Sequence, residues 1–116
     1  MSVKHAKNIK KETVKAGKKT TKQVLISSIE APNFAMRKFI LRPGGSMPNH
    51  TNTVEHEQYV LNGQAEISIR GEIYHVKKDD VVFIPAHTEH SYKVTGNQPF
   101  EFLCVVPNQK DEIKLV

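Results

Sequence analysis

The feature that most constrains the fold is a succession of short apolar runs separated by turn-forming residues. Beyond residue 22 helical periodicity is hard to find, and strand-forming residues recur at 24–26, 34–41, 57–61, 65–69, 73–76, 81–84, 91–94 and 100–106. Between the runs lie Gly-, Pro- and Asn-rich stretches such as RPGGSMPN, NGQ and TGNQP. Many short strands at close spacing predict an all-β sandwich or barrel. A chain of 116 residues suits one such domain.

Two dipeptides predict how neighbouring strands connect. Asn62-Gly63 is a strong hairpin signal, because both residue types accept positive φ. Arg70-Gly71 separates the next pair of runs. We therefore predict an antiparallel meander through the strands at 57–61, 65–69 and 73–76.

The positive charge is concentrated at the N-terminus. Residues 1–22 carry eight lysines against a single acid, Glu12, whereas the formal charge of the whole chain is +5. Such a segment could bind nucleic acid or an anionic surface. It has no aromatic residue to stack on bases, so we favour an edge strand or a flexible, solvated tail and expect no nucleic-acid partner. We divide the chain into this segment, 1–22, and a β-barrel domain, 23–116.

The sequence also bears on the compartment. No apolar run is long enough to cross a bilayer, and no apolar segment follows the N-terminal lysines as in a secretory signal. The single cysteine, Cys104, excludes an intrachain disulfide. We expect a cytoplasmic protein without a membrane partner.

Histidines are the residues that most suggest chemistry. Residues two apart on a strand share a face, so His50 can point the same way as Asn52, and His56 the same way as Gln58. His90 begins a further strand. Neutral imidazole is the commonest protein ligand for divalent transition metals. Periodicity alone leaves open whether these histidines converge, because a single histidine in a strand is more often a hydrogen-bonded structural residue.

Two stretches of the chain resemble the two sequence motifs of the cupin family. The first motif is similar to Gly44-x5-His50-x-Asn52-x3-His56-x6-Gly63, and the second to Asp79-x5-Pro85-x-His87-x2-His90. The resemblance covers roughly residues 24–107. It implies a small single-domain jelly-roll barrel, or double-stranded β-helix, with a divalent transition metal inside.

The resemblance also implies a set of metal ligands, namely His50, Asn52, His56 and His90. His56 stands where the motif has Glu, as in a subgroup of small cupins with EHE before the hairpin, in which this histidine is a ligand. Asn52 stands where the motif has His, and it could coordinate the metal, hold a water molecule or do neither. A three-histidine set with open positions is then expected, for Mn, Fe, Ni, Cu or Zn, with weaker binding than four histidines give.

Two further departures affect turns. Asp79 and His87 stand where the second motif has Gly, and both residue types tolerate positive φ better than most. We expect local strain and a solvent-facing His87.

Several other residues are candidates for the barrel interior. Gln58, Phe102 and Cys104 are predicted to line the cavity. Gln58 could orient a ligand or serve as a hydrogen-bonded interior amide, and we weigh these roles equally. Cys104 is expected to act mainly as a small buried hydrophobe. For Arg37 we favour a surface or interface ion pair over a role in the cavity.

The resemblance implies a metal-dependent enzyme that acts on a small molecule by redox, dioxygenase-like chemistry or by Lewis-acid, isomerase-like chemistry. The alternatives are a non-catalytic module that binds a small molecule or a metal at a degraded site, and a metal-free structural barrel. Glu55 and Glu57 should point outwards, so no general base is evident and acid–base chemistry is disfavoured. Because the family commonly pairs its barrels, a homodimer is expected.

Overall fold

The computed structural model describes residues 1–116 and is built almost entirely of strands. A 3-10 helix, Ala6–Asn8, precedes ten strands: β1 Glu12–Thr13, β2 Lys18–Ile26, β3 Phe34–Asn52, β4 His56–Asn62, β5 Gln64–Ile69, β6 Glu72–Lys77, β7 Val81–Ile84, β8 His90–Thr95, β9 Phe100–Pro107 and β10 Ile113–Leu115. One continuous antiparallel sheet, with the order β6-β5-β8-β3-β9-β4-β7, curls into a barrel. The predicted all-β, jelly-roll architecture is confirmed.

The long strand β3 joins the two halves of the barrel. From Phe34 to Leu41 it pairs with β9, and from Ser46 to His50 it pairs with β8. The stretch RPGGSMPN, predicted as a turn, therefore lies within a strand, and that prediction is wrong. Gly44 has a φ of +82° there, a conformation that glycine adopts without steric cost, so the strand can bend without ending.

The predicted meander is correct at only one of its two turns. β5 and β6 form a hairpin, and Arg70 and Gly71 at its turn both have positive φ, 53° and 82°. β4 does not pair with β5, because β4 lies between β9 and β7 whereas β5 lies between β6 and β8. Asn62-Gly63 instead carries the chain from one half of the barrel to the other. A local turn signal specifies the bend but not which strands pair after it.

The core follows the two-residue period of the strands. Along β9, Phe100, Phe102, Cys104 and Val106 are buried and the residues between them are half-buried. Burying each large apolar side chain contributes about 1.5–3 kcal/mol. Beside this apolar core the barrel buries polar side chains, which define the candidate site: His50, Asn52, His56, Gln58 and His90.

Both chain termini pack against the barrel. The buried Gln23 on β2 donates from Nε2 to the carbonyl oxygens of Ala6 and Ile9, at 2.8 Å each, which ties the first residues to the sheet. β1 pairs with β2, and β2 pairs with β3. At the other end β10 pairs with β3 between Asn52 and His50. These pairings bring residues from both termini to the neighbourhood of the buried histidines.

One outer face of the barrel is apolar. Tyr59 on β4 and its partner Val81 on β7 are exposed on it, as are Phe83 and Phe34. Exposed apolar faces of this kind are typical of protein contacts. The homodimer stays a prediction. No helix of the chain is both long and apolar enough to cross a membrane.

Candidate functional site

A cavity of about 500 Å³ extends into the barrel beside the apolar core. Its volume falls within the range of small-molecule sites. Six of the predicted site residues line it: His50, Asn52, His56, Gln58, His90 and Phe102. Cys104 is buried but lies behind the wall, with its Sγ 3.5 Å from Nδ1 of His56. The N-terminal residues Thr13–Ala16 and the C-terminal Asp111 and Ile113 also line the cavity.

Strand alternation explains why these side chains meet inside the barrel. On β4, His56 and Gln58 are buried while Glu57 is exposed, and the preceding Glu55 is exposed as well. On β3 the period places His50 and Asn52 inward. His50 is registered directly opposite His90 of β8. Directly opposite residues in an antiparallel pair share a face, so the two imidazoles lie side by side.

His50 and His90 are neutral and held in one tautomer. Nδ1 of His50 lies 2.7 Å from the Pro48 carbonyl oxygen, and Nδ1 of His90 lies 2.8 Å from that of Thr88. Since a carbonyl oxygen only accepts, each Nδ1 carries the proton and each Nε2 keeps a free lone pair. Burial lowers the pKa of both histidines, to about 4 for His90. The ring centroids are 4.1 Å apart.

His56 is in a different state from the other two histidines. Its Nε2 lies 3.8 Å from Oδ2 of Asp111, too long for a hydrogen bond but close enough for an ion pair. Burial lowers the pKa of His56, but the Asp111 carboxylate and the Cys104 thiol outweigh burial and raise that pKa to about 9. The protonated form is therefore more favoured in His56 than in His50 or His90, and the ring centroid of His56 is 6.1 Å from that of His90.

The arrangement has the ligand types of a metal site but not its closed geometry. No group of three His, Cys, Asp or Glu side chains is positioned to hold a metal ion in this conformation. Among the candidate ligands, three buried atoms nevertheless lack any hydrogen-bond partner: Oδ1 of Asn52, Nε2 of His56 and Nε2 of His90. Each unpaired buried polar atom costs about 1–3 kcal/mol. A divalent cation would satisfy all three once His56 loses its proton, so the donor set fits such an ion.

Asp111 is a cavity residue that the sequence analysis missed. It lies between β9 and β10, and its Oδ1 accepts a hydrogen bond of 3.3 Å from Nδ2 of Asn52. Burial raises its pKa, but the neighbouring His56 outweighs burial and keeps that pKa below the usual value. The expectation that the site has no positioned acid is therefore corrected. Asp111 lies outside both motifs, and only the return of the chain along β3 brings it to the histidines.

Gln58 and Tyr92 form a second polar pair on the cavity wall. Nε2 of Gln58 donates to the Tyr92 hydroxyl at 2.7 Å. Burial raises the pKa of Tyr92, so its hydroxyl stays protonated and can donate in turn. Gln58 is thus a hydrogen-bonded interior amide that also lines the cavity. Tyr92 was not identified from the sequence, because its position on β8 predicts only a buried aromatic side chain.

The remaining candidates lie away from the cavity or differ from expectation. His87 is exposed with a φ of 61°, and Asp79 has a φ of 74°, which confirms the predicted turns. Arg37, for which a surface or interface ion pair was favoured, lines the cavity and takes part in none of the five ion pairs within the chain. It belongs to the inward-facing set of β3, which alternation could have indicated.

Comparison with known proteins identifies relatives of this barrel. The family model described as "Cupin domain" matches residues 37–106. The polyketide cyclase RemF from Streptomyces resistomycificus is 30% identical with a TM-score of 0.92, over 100% of this chain and 85% of that chain. An oxalate-binding protein from Thermotoga maritima is 32% identical over 97 residues, 80% of each protein.

A further match covers a much smaller part of its protein. A mannose-1-phosphate guanylyltransferase from Klebsiella pneumoniae is 30% identical over 77 residues, which are 65% of this chain but only 16% of that enzyme. The chain therefore spans a small fraction of the guanylyltransferase it resembles.

Proposed function

The chain belongs to the cupin family, and from this membership and the histidine cavity we propose that it binds a divalent transition metal and acts on a carbonyl-bearing small molecule. The observation that carries the proposal is that three candidate ligands have unpaired buried atoms: Asn52 Oδ1, His56 Nε2 and His90 Nε2. Buried polar atoms are nearly always satisfied in native proteins, so such a cluster indicates a missing partner. Once His56 is neutral, all three atoms offer lone pairs, and a cation is the partner that such lone pairs share.

Among the chemistries open to such a site, Lewis-acid chemistry is better supported than redox chemistry. A bound divalent ion would polarise a carbonyl oxygen, which acidifies the protons on the neighbouring carbon. The Asp111 carboxylate supplies a base in the same cavity. The similarity to a polyketide cyclase supports this assignment, because polyketides are chains of carbonyl-bearing carbons.

The residues of the chain have separate roles in this proposal. His50, His56 and His90 would hold the metal, with Asn52 as a fourth, weaker donor. Asp111 would accept the carbon-bound proton at Oδ2, since its Oδ1 already accepts from Asn52. Gln58 fixes the Tyr92 hydroxyl, which would donate to a substrate oxygen. Phe102 and Met47 provide the apolar wall that excludes water.

A non-catalytic binding module is the second candidate function. It is favoured by the hydrogen bond from Asn52 to Asp111 and the ion pair between His56 and Asp111. These contacts satisfy the Asp111 charge without a metal. A protein in that state would bind a small molecule at the cavity without turning it over. Retention of metal without catalysis of proton exchange would indicate this function.

The experiment that tests the proposal combines metal content with proton exchange. The protein is purified without chelator or histidine tag, incubated with manganese, iron, nickel, copper or zinc in turn, freed of excess ion and analysed by plasma mass spectrometry. We expect about one ion per chain for at least one metal, as a structural or catalytic site takes. His56→Ala should lower that content.

Replacing Asp111 separates the chemistry from metal binding. Exchange of the methyl protons of acetophenone for deuterium is followed by proton NMR with the loaded protein. Asp111→Asn should keep the metal and lose exchange by about 100-fold or more, the usual contribution of a positioned base. Equal exchange rates in the wild type and the variant would contradict the role of Asp111. Absence of bound metal with all five ions would contradict the proposal as a whole.

A further inference from the structure

Arg37 is a cation of the cavity lining that forms no ion pair within the chain. It lies on β3 opposite Cys104 of β9 and lines the cavity with the histidines. No carboxylate oxygen is within ion-pairing distance of its guanidinium, since the five ion pairs of the chain involve other residues. Charged groups inside proteins are normally paired, so an unpaired arginine in a cavity indicates a charge that arrives with a ligand.

The hydrogen-bonding capacity of Arg37 is also largely unused. A guanidinium has five N–H donors. Its one side-chain contact of this kind is from Nη2 to Sγ of Cys104 at 3.5 Å, a weak acceptor. Nε is buried without any partner. The donor fork is therefore free to bind an acceptor with two oxygens, and a carboxylate matches that geometry.

An aromatic platform fixes the position of this guanidinium. Cζ of Arg37 lies 5.1 Å from the centroid of the Phe39 ring, within cation–π distance. Phe39 is in turn stacked on Phe102 at 5.2 Å with an interplanar angle of 14°. Both rings line the cavity. The platform holds the cation in place and offers an apolar surface next to it.

We propose that Arg37 is the specificity residue of the cavity and that the small molecule carries a carboxylate on a planar apolar body. The carboxylate would bind the guanidinium fork, and the planar body would lie along Phe39 and Phe102. The substrate class named here rests on the proposed function, because it assigns the ligand of the same cavity. The anion site itself is formed by residues that include no metal ligand.

The charge of the cavity lining supports an anionic ligand. Lys15 and Lys22 line the cavity as well, and both come from the basic N-terminal segment. Arg37, Lys15 and Lys22 thus face a single carboxylate, that of Asp111. A cleft lined by one sign of charge attracts ligands of the opposite sign. Lys15 and Lys22 would thereby help to attract the ligand.

The test uses two probes of nearly the same shape, 2-naphthoate and 2-naphthamide, of which only the first carries a negative charge and two acceptor oxygens. Binding to the metal-free protein is measured by nitrogen-15 NMR titration, so the result does not depend on whether the site holds a metal. The wild type should bind naphthoate at least about tenfold more tightly than naphthamide, since hydrogen bonds to charged groups are worth that factor or more. Shifts should concentrate on Phe39, Phe102 and their strands.

Matched variants identify the group responsible. Arg37→Gln should remove the preference for naphthoate, and Arg37→Lys, which keeps the charge but not the fork, should keep only part of it. Arg42→Gln makes the same change on the exposed part of β3 and should leave the preference intact.

Three results would overturn the inference. They are equal binding of the two probes by the wild type, a preference that survives Arg37→Gln, and a preference that is lost with Lys15→Gln and Lys22→Gln alone. The wild-type comparison holds even if Arg37→Gln does not fold. Failure of this test leaves the metal content unaffected, so the two proposals fail separately.

Discussion

His90→Ala is expected to weaken metal binding by at least about 100-fold, because losing even a residue that orients a metal ligand costs 10–100-fold. His90 is the most buried of the three histidines, at 1% exposure, and its Nε2 has no protein partner. Its Nδ1 proton is fixed by the Thr88 carbonyl oxygen, so the ring is already oriented for coordination. Competition against a chromophoric chelator measures the dissociation constant directly.

His87→Ala is the matched control for this loss. His87 lies three residues earlier, is exposed and does not line the cavity. The same truncation there should change the metal affinity by less than twofold, a bound we take from the usual neutrality of exposed substitutions. Circular dichroism of both variants shows whether the barrel persists. Equal losses of affinity in the two variants would contradict the assignment of His90 as a ligand.

Gly63→Ala is expected to lower the free energy of unfolding by about 3 kcal/mol or more, from left-handed strain and steric overlap together. Gly63 has a φ of +77°, and a Cβ there would overlap the carbonyl oxygen of Pro99 and lie 2.8 Å from its carbon and 3.0 Å from Cα of Phe100. These are backbone atoms, which cannot turn aside as a side chain would. Phe100 is fully buried, so its displacement disturbs the core.

Gly71→Ala separates the two causes of that loss. Gly71 has a nearly equal φ of +82°, but a Cβ there would meet no atom within 4 Å. The loss should therefore be about 1–2 kcal/mol, the cost of the left-handed conformation alone. Urea denaturation of the two variants and the wild type gives all three values. A loss for Gly71→Ala as large as that for Gly63→Ala would show that overlap with Pro99 contributes nothing.

The parts of the fold that follow from local alternation could be predicted from the sequence. The alternation that buries His56 and Gln58 and exposes Glu57 is visible in the printed letters, because side chains on a strand alternate between its two faces. The positive φ of Asp79 and His87 could also be predicted, because both stand where the family motif has Gly and because a turn depends on local sequence.

Non-local pairing decided what the sequence did not reveal. Asn62-Gly63 predicted a hairpin between β4 and β5, but these strands belong to different halves of the barrel. Asp111 reaches the site only because β10 returns along β3. The spacing of residues in the sequence does not predict that contact. For Arg37 a surface or interface ion pair was favoured over a role in the cavity, whereas the structure places Arg37 on β3 among the residues that line the cavity.

In this account, metal binding depends on the protonation state of His56. In the metal-free chain it pairs with Asp111, at 3.8 Å, and a bound metal would require its neutral form. Metal binding should accordingly release a proton from His56 and free the Asp111 carboxylate for another partner. The same carboxylate that stabilises the metal-free cavity would then become the base of the loaded one.

X-ray absorption spectroscopy at the zinc edge of the zinc-loaded protein tests the central claim most directly. It counts the ligand atoms and identifies imidazole rings by their outer-shell scattering. The account predicts three imidazoles at about 2.0–2.1 Å, with oxygen atoms completing the coordination. A single imidazole, or a sulfur atom at about 2.3 Å from Cys104, would contradict the proposed ligand set of His50, His56 and His90.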